Sequence, residues 1–233
     1  MPLEPDISAR LSSVRARVSR AAEAARRDPE SVCLIAVSKT FSIDHVKAAA
    51  SAGQIDFGEN RVQEAVEKIE QARGLPLRWH LVGHLQSNKA RKAAASFALI
   101  HSIDSADLLR RVDRAAVDAK TAPELLVQVD LAGEPTKHGA RPEELDEIFA
   151  AARECQTARV AGLMLLPPFF EDPELSRPYF RRLRTLRDDL GGRGVPAPML
   201  VHLSMGMSHD FEVAIQEGAT MVRVGTAIFG QRG

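Results

Sequence analysis

Cys33-Leu34-Ile35-Ala36-Val37-Ser38-Lys39 is an apolar, partly β-branched run that closes on a lysine. A short continuous run of this kind reads as a strand buried on both faces, as in a parallel sheet covered by helices. Period-two alternation sets Ile35, Val37 and Lys39 on one face. If that face lines a barrel, the amine stands at the C-terminal mouth among apolar neighbours. Desolvation there disfavours its charged form and leaves a nucleophile for a carbonyl carbon. A lysine that merely ends a strand and snorkels to water fits the same seven residues. On this stretch alone both readings stand.

Upstream, Ile7, Leu11, Val14, Val18 and Ala21 recur at helical spacing, interspersed with Glu4, Asp6 and Glu23. That pattern predicts an amphipathic helix against the first strand rather than a targeting peptide. Downstream, strand-like runs at 55–59, 78–84, 98–101, 124–130, 159–163, 199–202 and 221–224 alternate with helical patterns. Ser42 and Asn60 stand as N-caps, a helix is expected from Ser105 onward, and Pro142 suits a first helical position. Eight strand and helix units with right-handed crossovers predict an α/β fold: one (β/α)8 TIM-type barrel over 1–233, with an extra N-terminal helix.

Composition agrees with a single such domain: 233 residues, 45% hydrophobic and 27% charged. Lys plus Arg and Asp plus Glu both total 31, so no basic field invites nucleic acid or an anionic membrane. No apolar stretch is long enough to span a bilayer. The partners expected are small molecules. With only Cys33 and Cys155, a reducing cytoplasm is the expected setting.

In a barrel the loops after strands seven and eight are the usual phosphate cradle. Here they are Leu203-Ser204-Met205-Gly206-Met207-Ser208 and Gly225-Thr226. Gly206 and Gly225 permit close approach to backbone amides, and Ser204, Ser208 and Thr226 add hydroxyl donors. Ser208 as a plain helix cap is compatible with the same residues.

A lysine on strand one, this cradle and Arg223 on strand eight make a constellation that resembles the pyridoxal phosphate homeostasis protein family, relatives of the barrel domain of alanine racemase. The similarity runs through Ala36-Val37-Ser38-Lys39, Phe57-Gly58-Glu59-Asn60-Arg61-Val62-Gln63-Glu64, Trp79 to Lys89, Leu203 to Ser208 and Val222 to Gly230, almost the whole chain. The resemblance implies pyridoxal 5′-phosphate as cofactor, held as a Schiff base on Lys39. It further implies that Ser204, Ser208, Gly225 and Thr226 take the phosphate, Arg223 faces the pyridine nitrogen, and Asn60 lines the ring pocket. His209 departs from the acidic residue that often follows Ser208 in the family.

Competing motifs are weaker. His80 and His84 are four apart in a strand, which is not the helical pairing of a zinc site, so no metal is expected. Ser208-His209-Asp210 lacks a nucleophile elbow. Gly192 to Ala197 matches a dinucleotide fingerprint only on paper, because no strand precedes it. The expected function is therefore binding, storage or delivery of pyridoxal 5′-phosphate by a monomer, with cofactor-requiring apoenzymes as partners and no turnover of its own. The alternative is an amino-acid racemase or another lysine Schiff-base enzyme. Against racemisation, the only tyrosine, Tyr179, falls in an amphipathic helical pattern, the chain ends just beyond strand eight, and a cation at the ring nitrogen weakens the electron sink. Lys137, after strand five, is expected to open onto the same face as Lys39 as a loop lysine. It could also accept the cofactor transiently.

Overall fold

The computed structural model describes residues 3–133 and 138–231, with side chains from residue 6. Its strands are β1 (Cys33–Val37), β2 (Asp56–Glu59), β3 (Arg78–Leu81), β4 (Leu99–Ile103), β5 (Glu124–Val129), β6 (Arg159–Leu165), β7 (His202–Met207) and β8 (Met221–Val224). All are parallel, adjacent in chain order, and closed into a barrel by pairing of β1 with β8, where Ile35 sits opposite Arg223. The helices are α1 (Leu3–Ala24), α2 (Ile43–Ser51), α3 (Val62–Gln71), α4 (Ala90–Ser96), α5 (Ala106–Ala119), α6 (Leu145–Ala152), α7 (Arg177–Gly192), α8 (Phe211–Gln216) and α9 (Thr226–Phe229). The barrel and its leading helix match the expectation.

Local chemistry explains the elements. In α5, Leu108, Leu109, Val112, Ala115 and Ala116 form the buried stripe of a 3.6-residue repeat, and Ser105 Oγ caps it by accepting the Leu108 N–H. Most of the apolar core is the shell between strands and helices, where Phe57 and Trp79 meet at 5.7 Å between ring centroids. A second, smaller cluster, Ile35, Leu99, Leu126, Ala161, Met164 and Met221, fills part of the barrel interior. The rest of that interior is polar, and this feature positions the site.

Three expectations need correction. Strand one ends at Val37; Ser38 still donates its N–H to Gly58 at 3.0 Å, but Lys39 stands in the turn beyond. Strand seven is His202–Met207, not 199–202, because Ala197–Leu200 winds into a 3-10 turn that follows Pro196 and carries Pro198 in its first positions. Ser204 consequently lies inside the barrel instead of in the loop above it. Finally, Asn60 is not the cap of α3; Arg61 holds that position without a side-chain hydrogen bond.

Candidate functional site

A cavity of about 450 Å³ opens at the C-terminal end of the strands. Lys39, Asn60 and Arg223 all line it, joined by Gln128, Phe169 and Met207 among others. Val37, the last residue of β1, lines it too, and Lys39 reaches it from the turn beyond the strand. Lys39 is half-buried.

A dense ionic cluster underpins the turn carrying that lysine. Lys68 Nζ, on α3, donates to the Ser38 carbonyl at 2.8 Å, to Glu59 Oε1 at 2.7 Å and to Glu64 Oε1 at 3.0 Å. Ser38 Oγ donates to the same Glu59 oxygen, and the Thr40 N–H donates to Glu64. Thr40 has φ +69, a left-handed conformation that costs a branched residue energy, so the turn is held there by its partners. Burial pushes the Glu59 carboxyl upward despite Lys68 and Ser38. Burial pushes Glu64 the same way but is outweighed by Lys68 and the Thr40 amide, and its carboxyl sits low. Among the described residues, Glu59 Oε2 has no hydrogen-bond partner.

Of the residues expected to hold an anion, Ser208, Gly225 and Thr226 come together. The Gly225 N–H donates to Ser208 Oγ at 3.1 Å, and Thr226 opens α9 beside it. A Cβ on Gly225 would stand 3.1 Å from the Val37 carbonyl, so glycine keeps this corner narrow and its backbone accessible. Gly206, at φ +91, leaves no room for a Cβ against Ala214 and Phe211, and it bends β7 toward the Met207-Ser208 turn. Ser204 does not join them. It is fully buried, accepts from Arg223 Nη1, and pairs with His101 Nδ1 at 2.9 Å.

Arg223 is 4% exposed and donates from Nη2 to the Leu165 carbonyl at 2.9 Å. Burial presses its pKa down, with Asp210 acting against that. Sequence reasoning missed the mouth histidines. The rings of His84 and His138 stack at 3.5 Å with 10° between planes, and both line the cavity. Burial first, then His138, lowers the pKa of His84, against the pull of Asp104. Ligand atoms of His84, Asp104 and His138 lie within 4.8 Å of one another. His80 points elsewhere, into the barrel. Lys137 lies outside the described residues.

The family model for the alanine racemase N-terminal domain matches residues 9–233. The pyridoxal phosphate homeostasis protein of Aquifex aeolicus is 44% identical over 223 residues, covering 96% of this chain and 97% of the relative. The chain belongs to the pyridoxal phosphate homeostasis protein family. Its Escherichia coli member is 40% identical over 230 residues, with 97% of each chain covered. Among solved structures, PipY of Synechococcus elongatus with PLP bound superposes with a TM-score of 0.86 at 41% identity, covering 96% of this chain and all of that one. Alanine racemase of Clostridium difficile gives a TM-score of 0.75 at 15% identity, covering 98% of this chain and 57% of that enzyme, a likeness of fold alone. The family names of these relatives state homeostasis and no catalytic activity. No described helix is long and apolar enough to cross a membrane.

Proposed function

We propose that the protein binds pyridoxal 5′-phosphate at this mouth and serves intracellular homeostasis of the cofactor by storing, buffering or delivering it to apoenzymes. The observation that carries this is one cavity lined by Lys39, in the turn just beyond β1, and by the buried Arg223 of β8, the strand paired with β1, with the narrow Gly225 corner two residues after that arginine. The fit is chemical as well as spatial: an amine for an aldehyde, fixed N–H donors for a ring nitrogen, and a backbone amide with hydroxyls for an anion. Bound there, the cofactor supplies its aldehyde and an electron-withdrawing ring. Lys39 is the covalent anchor, Arg223 faces the ring nitrogen, Asn60 borders the ring, and Ser208, Gly225 and Thr226 receive the phosphate. Ser204 acts from beneath, through Arg223. A monomer in a reducing cytoplasm, with Cys33 and Cys155 as free thiols, suits this role.

Borohydride reduction of loaded protein followed by peptide mass analysis tests the anchor. Wild type should carry the reduced adduct on Lys39, and Lys39→Ala should lose it along with the visible absorbance. The same adduct at equal yield on another lysine rejects the assignment.

One observation favours racemase chemistry. His84 and His138 border the same cavity, and the depressed pKa of His84 suits a base. Against it, Arg223 presents only donors to the ring nitrogen, which keeps that nitrogen unprotonated and the electron sink weak. Tyr179 sits on α7 with its ring 5.9 Å from Phe170 and does not line the cavity. Loaded protein should therefore leave the alanine Cα proton unexchanged in heavy water. Exchange at enzymatic rates that falls in His84→Ala would establish the enzyme instead.

A further inference from the structure

Beneath Arg223 a line of buried polar side chains crosses the barrel. Ser204 Oγ meets His101 Nδ1 at 2.9 Å, His101 Nε2 meets His80 Nδ1 at 3.1 Å, and His80 Nε2 meets Asp56 Oδ1 at 2.9 Å. Asp56 also takes a bond from Arg78 Nη2 at 2.8 Å, at the opposite end of the barrel from the mouth. Burial would raise the Asp56 carboxyl, but the bonds from His80 and Arg78 outweigh it and keep the group anionic. Burial, and then His80, hold His101 neutral.

Only one arrangement of protons satisfies this line. A carboxylate accepts, so His80 carries its proton on Nε2. Neutral His80 then has a bare Nδ1, which must accept, so His101 carries its proton on Nε2 as well. The bare Nδ1 of His101 accepts the Ser204 hydroxyl hydrogen, and the Ser204 oxygen is left with lone pairs for Arg223. Reversed, or with either imidazole doubly protonated, Ser204 Oγ would face N–H groups from both His101 and Arg223. Its own hydrogen would then have no acceptor among the described contacts.

We propose that Arg223, Ser204, His101, His80 and Asp56 form one polarised relay in which Ser204 and His101 are positioning residues for the arginine at the ring nitrogen. The relay turns a lone pair toward Nη1 while Leu165 holds Nη2, which locks the guanidinium plane and leaves its other donors to the cavity. Asp56 acts on the mouth from the far end of the barrel without touching it. The role at the ring nitrogen rests on the cofactor reading above; the proton arrangement does not.

Histidine ring-nitrogen NMR on ligand-free protein tests the arrangement directly. His80 and His101 should both appear neutral, protonated at Nε2 and bare at Nδ1, and Asp56→Ala should abolish that single pattern. Protonation at Nδ1 of His101, or an imidazolium at either site near neutral pH, overturns the relay. Positioning is tested by titrating pyridoxal 5′-phosphate. Ser204→Ala should raise Kd roughly tenfold, the scale of one hydrogen bond, and shift the visible band of the loaded protein. In an Arg223→Ala background the same change should do neither. An equal loss in both backgrounds overturns positioning. If wild type forms no reducible adduct, the cofactor reading fails while the NMR still judges the relay.

Discussion

The two cationic groups at the mouth are held in opposite ways. Lys39 rides on a turn clamped by Lys68, Glu59 and Glu64, with the Lys68 ammonium 2.7 Å from one carboxylate and 3.0 Å from the other. Arg223 is held from inside by a hydroxyl and two imidazoles, with its carboxylate, Asp56, set four bonds away along the relay. The ionic clamp is compact but leaves Glu59 Oε2 without a hydrogen-bond partner among the described residues. In the relay, each bond along the line has a matched donor and acceptor. Removing one partner of a buried ion pair leaves an uncompensated charge, whereas removing the uncharged Ser204 hydroxyl costs on the scale of a hydrogen bond, so the clamp is the more fragile of the two when a partner is lost.

Denaturant unfolding measures that difference. Lys68→Ala strands Glu59 in the interior and should cost ~3–5 kcal/mol. Ser204→Ala removes one uncharged hydroxyl, leaves Arg223 Nη1 and His101 Nδ1 short of a partner, and should cost about 1–3 kcal/mol. Equal losses would mean that losing the Ser204 hydroxyl is as costly as stranding the Glu59 carboxylate. A finer contrast lies in pH. The Glu59 carboxyl is raised by burial, so its protonated form is favoured in the fold, and the stability it contributes is fully present below the unfolded value and lost as pH rises through the folded one. Wild type should thus lose ground to Glu59→Gln as pH rises from about 4.3, the ordinary glutamate value, and the gap should level off above the raised value. Glu64 and Asp56, both lowered, lose their contribution as pH falls, but they are common to both proteins and cancel. A gap that moves toward wild type as pH rises would show that Lys68 outweighs burial.

The barrel was legible because helix and strand periods differ and alternate: Ile7, Leu11, Val14, Val18 and Ala21 at helical spacing in α1, all buried, and the apolar run that became β1. Strand seven was misplaced for a physical reason. His202–Met207 carries a glycine, a serine and two methionines, a composition weak in strand formers, while the apolar residues of 199–201 precede it. The polar interior was hidden in the same way. Asp56, His80 and His101 look like surface residues until a closed barrel turns them inward, and their partners lie on other strands. Of the clamp, the Glu64 and Lys68 pair at i, i+4 could have been read, but Glu59 and Ser38 meet Lys68 only after α3 packs on β2. The stacking of His84 on His138 joins two loops and left no local signal.

Closure of β1 onto β8 has a consequence in time. The first strand gains its second neighbour only when 221–224 has been synthesised, and α1 lies against α2, α8 and α9, two of which also come last. At translation rates of about 5–20 residues per second, the leading helix and strand wait roughly 10–40 s beside an open sheet edge. Such late, long-range closure is slow and leaves the growing chain exposed to mispairing at that edge. Of the eight barrel strands, β8 is the last to be synthesised and is also the one that carries Arg223, so the seam and the candidate site are completed in the same event.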